Sequence, residues 1–314
     1  MMSRRTDKTP LVSVVLPAYN AGRYIAESLR SVTAQRGDFR LEILVVDDGS
    51  SDNTRERVQT FPQVRLISQR NAGPSAARNR GIAASNGDFV AFLDSDDLWT
   101  EDKLAVQMEI FQCLPEVSMV VGDSRRFNES GSLNDSFFAE ANLDQNFFGD
   151  PVLVKDPYLK FFRINYALTG GVIIRKDCLN RTGVFDESLH YVEDLDLWFR
   201  IALHYSIAYT TRLCLLRRHH EDNVSNDNVA MTLAHIEVLK AQQRLHEDLI
   251  ERHGIRIRPR FCLEYCLLGD RCEREGRMGD ARSWYLKGLR AYPSLRPAYY
   301  LLRSFWGKRP LRSA

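Results

Sequence analysis

Three short apolar runs in the first hundred residues each stop at a polar corner, and this pattern constrains the fold most. Leu11–Leu16 (LVSVVL) meets Pro17-Ala18-Tyr19-Asn20. Leu41–Val46 (LEILVV) meets Asp47-Asp48-Gly49-Ser50. Phe89–Leu93 (FVAFL) meets Asp94-Ser95-Asp96-Asp97. Near-continuous apolar runs of this length suit strands covered on both faces of a sheet. Helical patterns lie between them. Tyr24, Ile25, Leu29 and Val32 share one face, with Asn20 placed to cap that helix. A short helix follows Ser51-Asp52, and another opens at Pro74 in its first turn. Alternating strand and helix predicts a mostly parallel central sheet flanked by helices, and such sheets bind ligands beyond the carboxyl ends of their strands.

The carboxylates at the third corner repel one another unless a cation sits among them. A divalent metal holding a diphosphate satisfies that need, since Mg²⁺ and Mn²⁺ take oxygen ligands. A polar turn before a helix start is the alternative. Further on, Thr100 to about Leu114 reads as a helix and Val117–Val121 as a strand. The stretch from Ser124 to Pro151 reads as a long loop, whose Phe137, Phe138, Phe147 and Phe148 either close over a ligand or pack the loop down. The pair Gly170-Gly171 enters a strand and permits close approach of a ligand or of another backbone. Glu193 and Asp194 fall at a helix start, as dipole partners or as a general base. Arg217-Arg218-His219-His220 ends a strand-like run from Ser206, fit for phosphate or metal, or for a solvated turn.

Bulk composition excludes several classes. The chain has 314 residues, 44% hydrophobic and 27% charged, as soluble globular proteins have. A net charge of +2 implies no general polyanion-binding surface, so nucleic acid is not an expected partner. The six cysteines lack paired metal-finger spacing and read as buried thiols in a reducing cytosol. MMSRRTDKTP is too polar for a signal peptide and reads as a disordered N-terminus over residues 1–10. No apolar run approaches a membrane span, which makes the expected location cytoplasmic. From about Val229 the pattern is helical through residue 314, and Leu263–Leu302 resembles one tetratricopeptide-like helical pair. The basic, aromatic end around Phe305–Arg312 fits either the cytoplasmic face of an anionic membrane or a solvated terminus.

The motifs VSVVLPAYN, EILVVDDGSSDNT, NAGPSAARNRG, GDFVAFLDSDDLW, TGGVIIRKDCL, GVFDE, YVEDLDLW and RRHHEDNVS occur in that order. Together they make residues 11 to about 225 resemble a family 2 glycosyltransferase of the inverting, GT-A type, with the domain expected over 11–228. The resemblance implies a nucleotide-binding half over 11–123 and an acceptor half over 124–228. It implies that Pro17, Tyr19, Asn20, Asp47, Asp48, Asn71 and Arg78 hold the nucleotide. It implies that Asp94 and Asp96 form a DxD motif with Asp96 on the metal, and that His220 joins them, with Arg218 assisting. Asp194 would be the catalytic base, with Glu193 beside it. Gly170 and Gly171 would border the substrate. The implied cofactor is Mn²⁺ or Mg²⁺. The implied donor is a UDP-linked or other nucleotide sugar, and the acceptor a glycan or lipid-linked hydroxyl in surface polysaccharide, lipopolysaccharide or capsule synthesis. A nucleotidyltransferase is the competing enzyme class, although neither GxGxxG nor GxxxxGK[ST] occurs. A catalytically silent nucleotide-sugar-binding module is the non-enzymatic alternative.

Overall fold

The computed structural model describes residues 9–133, 135–220 and 228–305. The chain divides into two compact units between Asn223 and Val224.

The first unit contains, in chain order, β1 (Leu11–Ala18), α1 (Ile25–Thr33), β2 (Arg40–Asp47), α2 (Thr54–Gln59), β3 (Val64–Ser68), α3 (Pro74–Ala84), β4 (Phe89–Phe92), β5 (Leu98–Trp99), α4 (Lys103–Cys113), β6 (Val117–Asn128) and β7 (Gly131–Ser132). Then come α5 (Phe137–Glu140), α6 (Gln145–Phe148), α7 (Pro157–Phe161), β8 (Val172–Arg175), α8 (Leu179–Thr182), α9 (Glu193–His204) and β9 (Ser206–Arg218). One sheet joins all the strands in the order β3-β2-β1-β4-β8-β6-β9-β5, with β7 paired to β6. The half β3-β2-β1-β4 is parallel throughout. Beyond it the expected parallel character stops, because β8 runs antiparallel to both β4 and β6. β9 returns parallel to β6, and β5 pairs antiparallel with the far end of β9.

This topology builds one edge. β1, β2 and β4 are parallel neighbours, so their carboxyl ends lie together, with Ala18 level with Asp47. Hydrogen bonds stitch the three corners. The Asp48 amide donates to Ala18 O at 2.8 Å, the Asn20 amide to Ser50 Oγ at 2.9 Å, and Ser28 Oγ to Ser95 O at 2.9 Å. Asn20 does not cap α1. It sits at φ +48°, and its Oδ1 accepts instead from the Ser51 amide across the corner. Gly49 takes φ +81°, and a Cβ there would lie 2.9 Å from the Asn71 amide, so the second corner needs glycine twice over.

α3 packs on β1 through Gly81, whose missing Cβ leaves room for the fully buried Val15. Gly81→Ala is expected to destabilise the fold by about 1–3 kcal/mol through overpacking. Adding Val15→Ala should recover part of the loss. Thermal melts of the single and double variants check this, and purely additive losses would refute the contact.

The stretch expected as a long loop is more ordered than its composition suggests. β6 runs on to Asn128, and Ser136 and Asp144 cap the short helices α5 and α6. Phe138 and Phe148 are buried, which favours the packing role for these aromatics. Among the cysteines, Cys113 is exposed and the other five are buried.

The second unit holds α10 (Asn228–Leu245), α11 (Glu247–Arg252), α12 (Arg258–Arg274), α13 (Met278–Ala291) and α14 (Leu295–Phe305). α12 and α13 form a close antiparallel hairpin. Gly269 accommodates the ring of the buried Tyr285, and Gly288 faces Cys262 O. Tyr285 Oη donates toward Asp270 and Glu273, each at 2.8 Å, and Arg303 of α14 donates to the same two carboxylates. No described helix is long and apolar enough to cross a membrane.

Candidate active site

At the edge where β1, β2 and β4 end, Arg78 is the central cation. It projects from the first turns of α3 and is 5% exposed. Its guanidinium donates to Asp94 Oδ1 at 2.8 Å and to Glu193 Oε1 at 2.6 Å. Burial opposes its charge, yet Asp94 and Glu193 outweigh that and hold its pKa above the ordinary arginine value. One side chain therefore ties the corner after β4 to the start of α9, which are 99 residues apart between Asp94 and Glu193.

Asp194 follows on the same helix start and is half-buried. Its Oδ2 accepts from Thr169 Oγ1 at 3.1 Å, and its Oδ1 from the Leu195 amide at 2.6 Å. Burial, then the Glu193 charge, push its pKa up to about 6, against the pull of the Leu195 amide, Arg78 and Thr169. Val192 before it lies at φ +53°, an uncommon conformation for a β-branched residue. Strained backbone of this kind clusters where a side chain is being aimed.

The last strand brings in the remaining groups. Beyond β9, His220 Nε2 lies 2.9 Å from Asp96 Oδ2. His219 is exposed, and its amide donates to Phe127 O, so His220 is the imidazole that meets the carboxylates. Asp96 has a raised pKa from burial and from Asp94, partly offset by His220. Asp97 is buried, and burial with the Asp96 and Asp94 charges pushes it well above the usual range, although it accepts from the Arg218 amide at 2.8 Å.

Could Asp96 and His220 hold a small divalent ion? Two neighbouring ligands on such an ion, with bonds of about 2.1 Å at right angles, lie about 3 Å apart. The Asp96–His220 separation is 2.9 Å, and an oxygen–imidazole donor set suits Mn²⁺. The residues fit. Among the described residues, no group of three or more acidic, His or Cys side chains is placed to hold a metal ion. Substrate oxygens and water would have to complete the shell.

Several expected contacts are turned inward. Asp48, 4% exposed, accepts from Gln69 Nε2 at 2.8 Å and from the amides of Ala72 and Gly73 at 2.9 and 2.8 Å. It holds the loop that presents Asn71, which is exposed. Asp47 is fully buried, accepts from the Ser50 amide and pairs with Arg55. Pro17 is buried within β1, whereas Tyr19 is 54% exposed at the edge. Arg218 donates to Glu27 Oε2 at 2.6 Å and to Asp96 O at 2.9 Å, between the rings of Tyr24 and Phe127. This tethers the carboxylate corner to α1.

Gly170 and Gly171, expected to border a substrate, lie close against protein. Both are buried. A Cβ on Gly171 would lie 3.0 Å from Gly122 O, and one on Gly170 2.8 Å from Leu215. Trp99 Nε1 and Gln107 Nε2 cap their carbonyls at 2.8 Å each.

Thr169, Tyr24 and Glu27 were not legible as site neighbours. Each partners a residue distant in sequence; Thr169 opens the TGGVIIRKDCL motif, but nothing local names Asp194 as its partner. A cleft of about 610 Å³ lined by Gly87, Asp88, Arg175 and Lys176 lies at the other end of β4, away from the carboxylates. Its cations already donate to the carbonyls of Val117 and Ser85.

A parallel β3-β2-β1-β4 half joined to a mixed half, with acidic corners at the strand ends, defines the GT-A class of nucleotide-sugar transferase folds. The sequence model of glycosyl transferase family 2 matches residues 13–161. An uncharacterized glycosyltransferase of Rickettsia typhi is 28% identical over 232 residues, covering 71% of this chain and 68% of the relative. The putative teichuronic acid biosynthesis glycosyltransferase TuaG of Bacillus subtilis is 40% identical over 109 residues, covering 33% of this chain and 43% of TuaG. The crystal structure of S. aureus TarS 1–349 in complex with UDP-GlcNAc superposes with a TM-score of 0.59 at 21% identity, covering 94% of this chain and 88% of that one. This last likeness speaks for the fold.

Proposed function

We propose that the protein is an inverting, metal-dependent glycosyltransferase that moves a sugar from a nucleotide-diphosphate sugar, UDP-linked, to a hydroxyl of a glycan or lipid-linked acceptor in surface polysaccharide synthesis. The observation that carries the reading is Asp194, a half-buried carboxylate with a pKa of about 6 at the edge where the acidic corners meet. A base poised near neutrality takes a proton most effectively at the pH where it is just ionised. In the reaction, the acceptor oxygen bonds to the anomeric carbon, the bond from that carbon to the diphosphate oxygen breaks, and the acceptor proton passes to Asp194. No protein nucleophile is needed. The complex of TarS with UDP-GlcNAc supports a UDP-linked donor, and the name of TuaG supports a surface polysaccharide.

Asp96 and His220, with Asp94 beside them, would hold Mn²⁺ or Mg²⁺, which when bound neutralises the charge growing on the leaving diphosphate. Tyr19, Asn20 and Asn71 face outward at the edge and would contact the nucleotide. Asp47, Asp48 and Arg218 would position those loops, and Arg78 would keep Asp94 and Glu193 in register.

The test is a panel of nucleotide sugars assayed for hydrolysis and transfer with Mn²⁺ or Mg²⁺. Turnover of a UDP-sugar is expected, and absence of nucleotide binding in calorimetry would sink the reading. Asp96→Ala is expected to lower metal-stimulated UDP affinity by about 10–100-fold while leaving the metal-free affinity near its original value. Unchanged Mn²⁺ dependence in titrations with and without chelator would remove Asp96 as a ligand.

A further inference from the structure

The modest net charge conceals a strong segregation. Residues 1–227 carry 26 Lys and Arg against 32 Asp and Glu, whereas residues 228–314 carry 17 against 9. Between positions 281 and 314 the sequence has eight Lys and Arg and no acidic residue. That stretch includes α14, one face of which is bare on the helical unit. Leu295 is 90% exposed, Tyr299 62%, Leu302 56% and Phe305 60%. Spacings of four, three and three place them along one side of the helix. The opposite side is packed. Pro297 and Ser304 are buried, and Tyr300 and Leu301 lie against Ala281, Tyr285 and Cys272. Arg296 flanks the stripe, Arg303 to one side of it is held by Asp270 and Glu273, and Lys287 and Arg290 stand exposed on α13. After Phe305 the sequence continues with Trp306, Lys308, Arg309 and Arg312.

We propose that α14 is a docking surface for an anionic lipid bilayer. The apolar stripe enters the boundary between headgroups and acyl chains, and the exposed Arg296, Lys287 and Arg290 meet lipid phosphates. A helix that lies in an interface shows this division, with an apolar side and Lys or Arg beside it. Charge complementarity selects the occupant. A second copy docked through the same face would bring its positive charge against itself, and nucleic acid offers nothing to the aliphatic Leu295 and Leu302. A headgroup layer meets both features, since anionic lipid attracts each cation near its surface and the acyl region takes the apolar side chains. The inference does not depend on the donor or on the chemistry at Asp194.

Co-sedimentation of the full chain with extruded vesicles tests it. Binding is expected to vesicles of phosphatidylcholine mixed with phosphatidylglycerol, and little to phosphatidylcholine alone. Raising NaCl should release the protein. Leu295→Asp with Leu302→Asp should lower the partition coefficient by at least about tenfold, and Arg296→Glu by about tenfold. These side chains are exposed, so circular dichroism should be unchanged. Equal binding to both vesicle types, binding untouched by Leu295→Asp with Leu302→Asp, or no binding at low salt would each overturn the proposal. So would sedimentation velocity showing a dimer that these substitutions dissociate while lipid binding stays intact.

Discussion

Asp194→Asn is expected to keep nucleotide-sugar binding and to lose transfer by about 10²–10⁴-fold, the usual range for removal of a general base. The substitution keeps the shape of the side chain and its place beside Thr169 and the Leu195 amide. What it removes is a group able to take the acceptor proton. Wild-type turnover should rise as pH climbs through about 6 and level off above it, because the active form is the ionised one. A flat profile through that range would refute the assignment, as would equal loss of binding and transfer. Stability should move the other way. A carboxyl whose pKa is raised in the fold holds its proton more tightly there than in the unfolded chain. Ionising it as pH rises above the unfolded value therefore costs stability. The asparagine variant should melt above wild type at alkaline pH, with the gap closing below the unfolded value.

Arg78→Met carries the second large effect, on stability and on the base together. Removing the guanidinium strands Glu193, whose side chain is 13% exposed, and releases Asp94, which is 42% exposed. Breaking a buried pair from one side costs about 3–5 kcal/mol. The Asp94 share is small because water screens it, so about 3 kcal/mol is expected, read as a lower melting temperature. Arg78 also lowers the Asp194 pKa. Its loss should therefore shift the pH–rate profile to higher pH. Arg78→Lys keeps a charge but not the fork that reaches two carboxylates. It should melt lower than wild type and shift the profile less than methionine does. An unchanged melt and profile in Arg78→Met would show that the bridge organises nothing.

Three strands of the parallel half, β1, β2 and β4, were readable because each is apolar and ends at a turn with its own chemistry. Pro74 likewise announced α3. The mixed half was not readable. Val172-Ile173-Ile174 presents the same apolar face whichever way β8 runs, so direction is decided by packing against β4 and β6. Asn20 looked like a cap because caps and left-handed corners favour the same residue, and only the position of Ser51 distinguishes them. The glycine pair signalled close approach correctly but not what approaches, since Gly122 lies 49 positions before Gly171. Asp94, Asp96, Asp194 and His220 stood out by motif. Tyr24 and Glu27 did not, since their meaning arises from the fold alone.

The bond between Asp96 and His220 spans 124 positions. His220 follows β9 in the chain, so this edge is the last part of the sheet that a growing chain can complete. A nascent chain released before β9 would carry the acidic corners with no imidazole and no Arg218 tether beside them. Three crowded carboxylates would then repel one another in a half-built sheet with an open strand edge, a form prone to associate wrongly. The enzyme's charge chemistry and its order of synthesis are thus linked, and conditions that supply a cation early should favour productive folding of this edge.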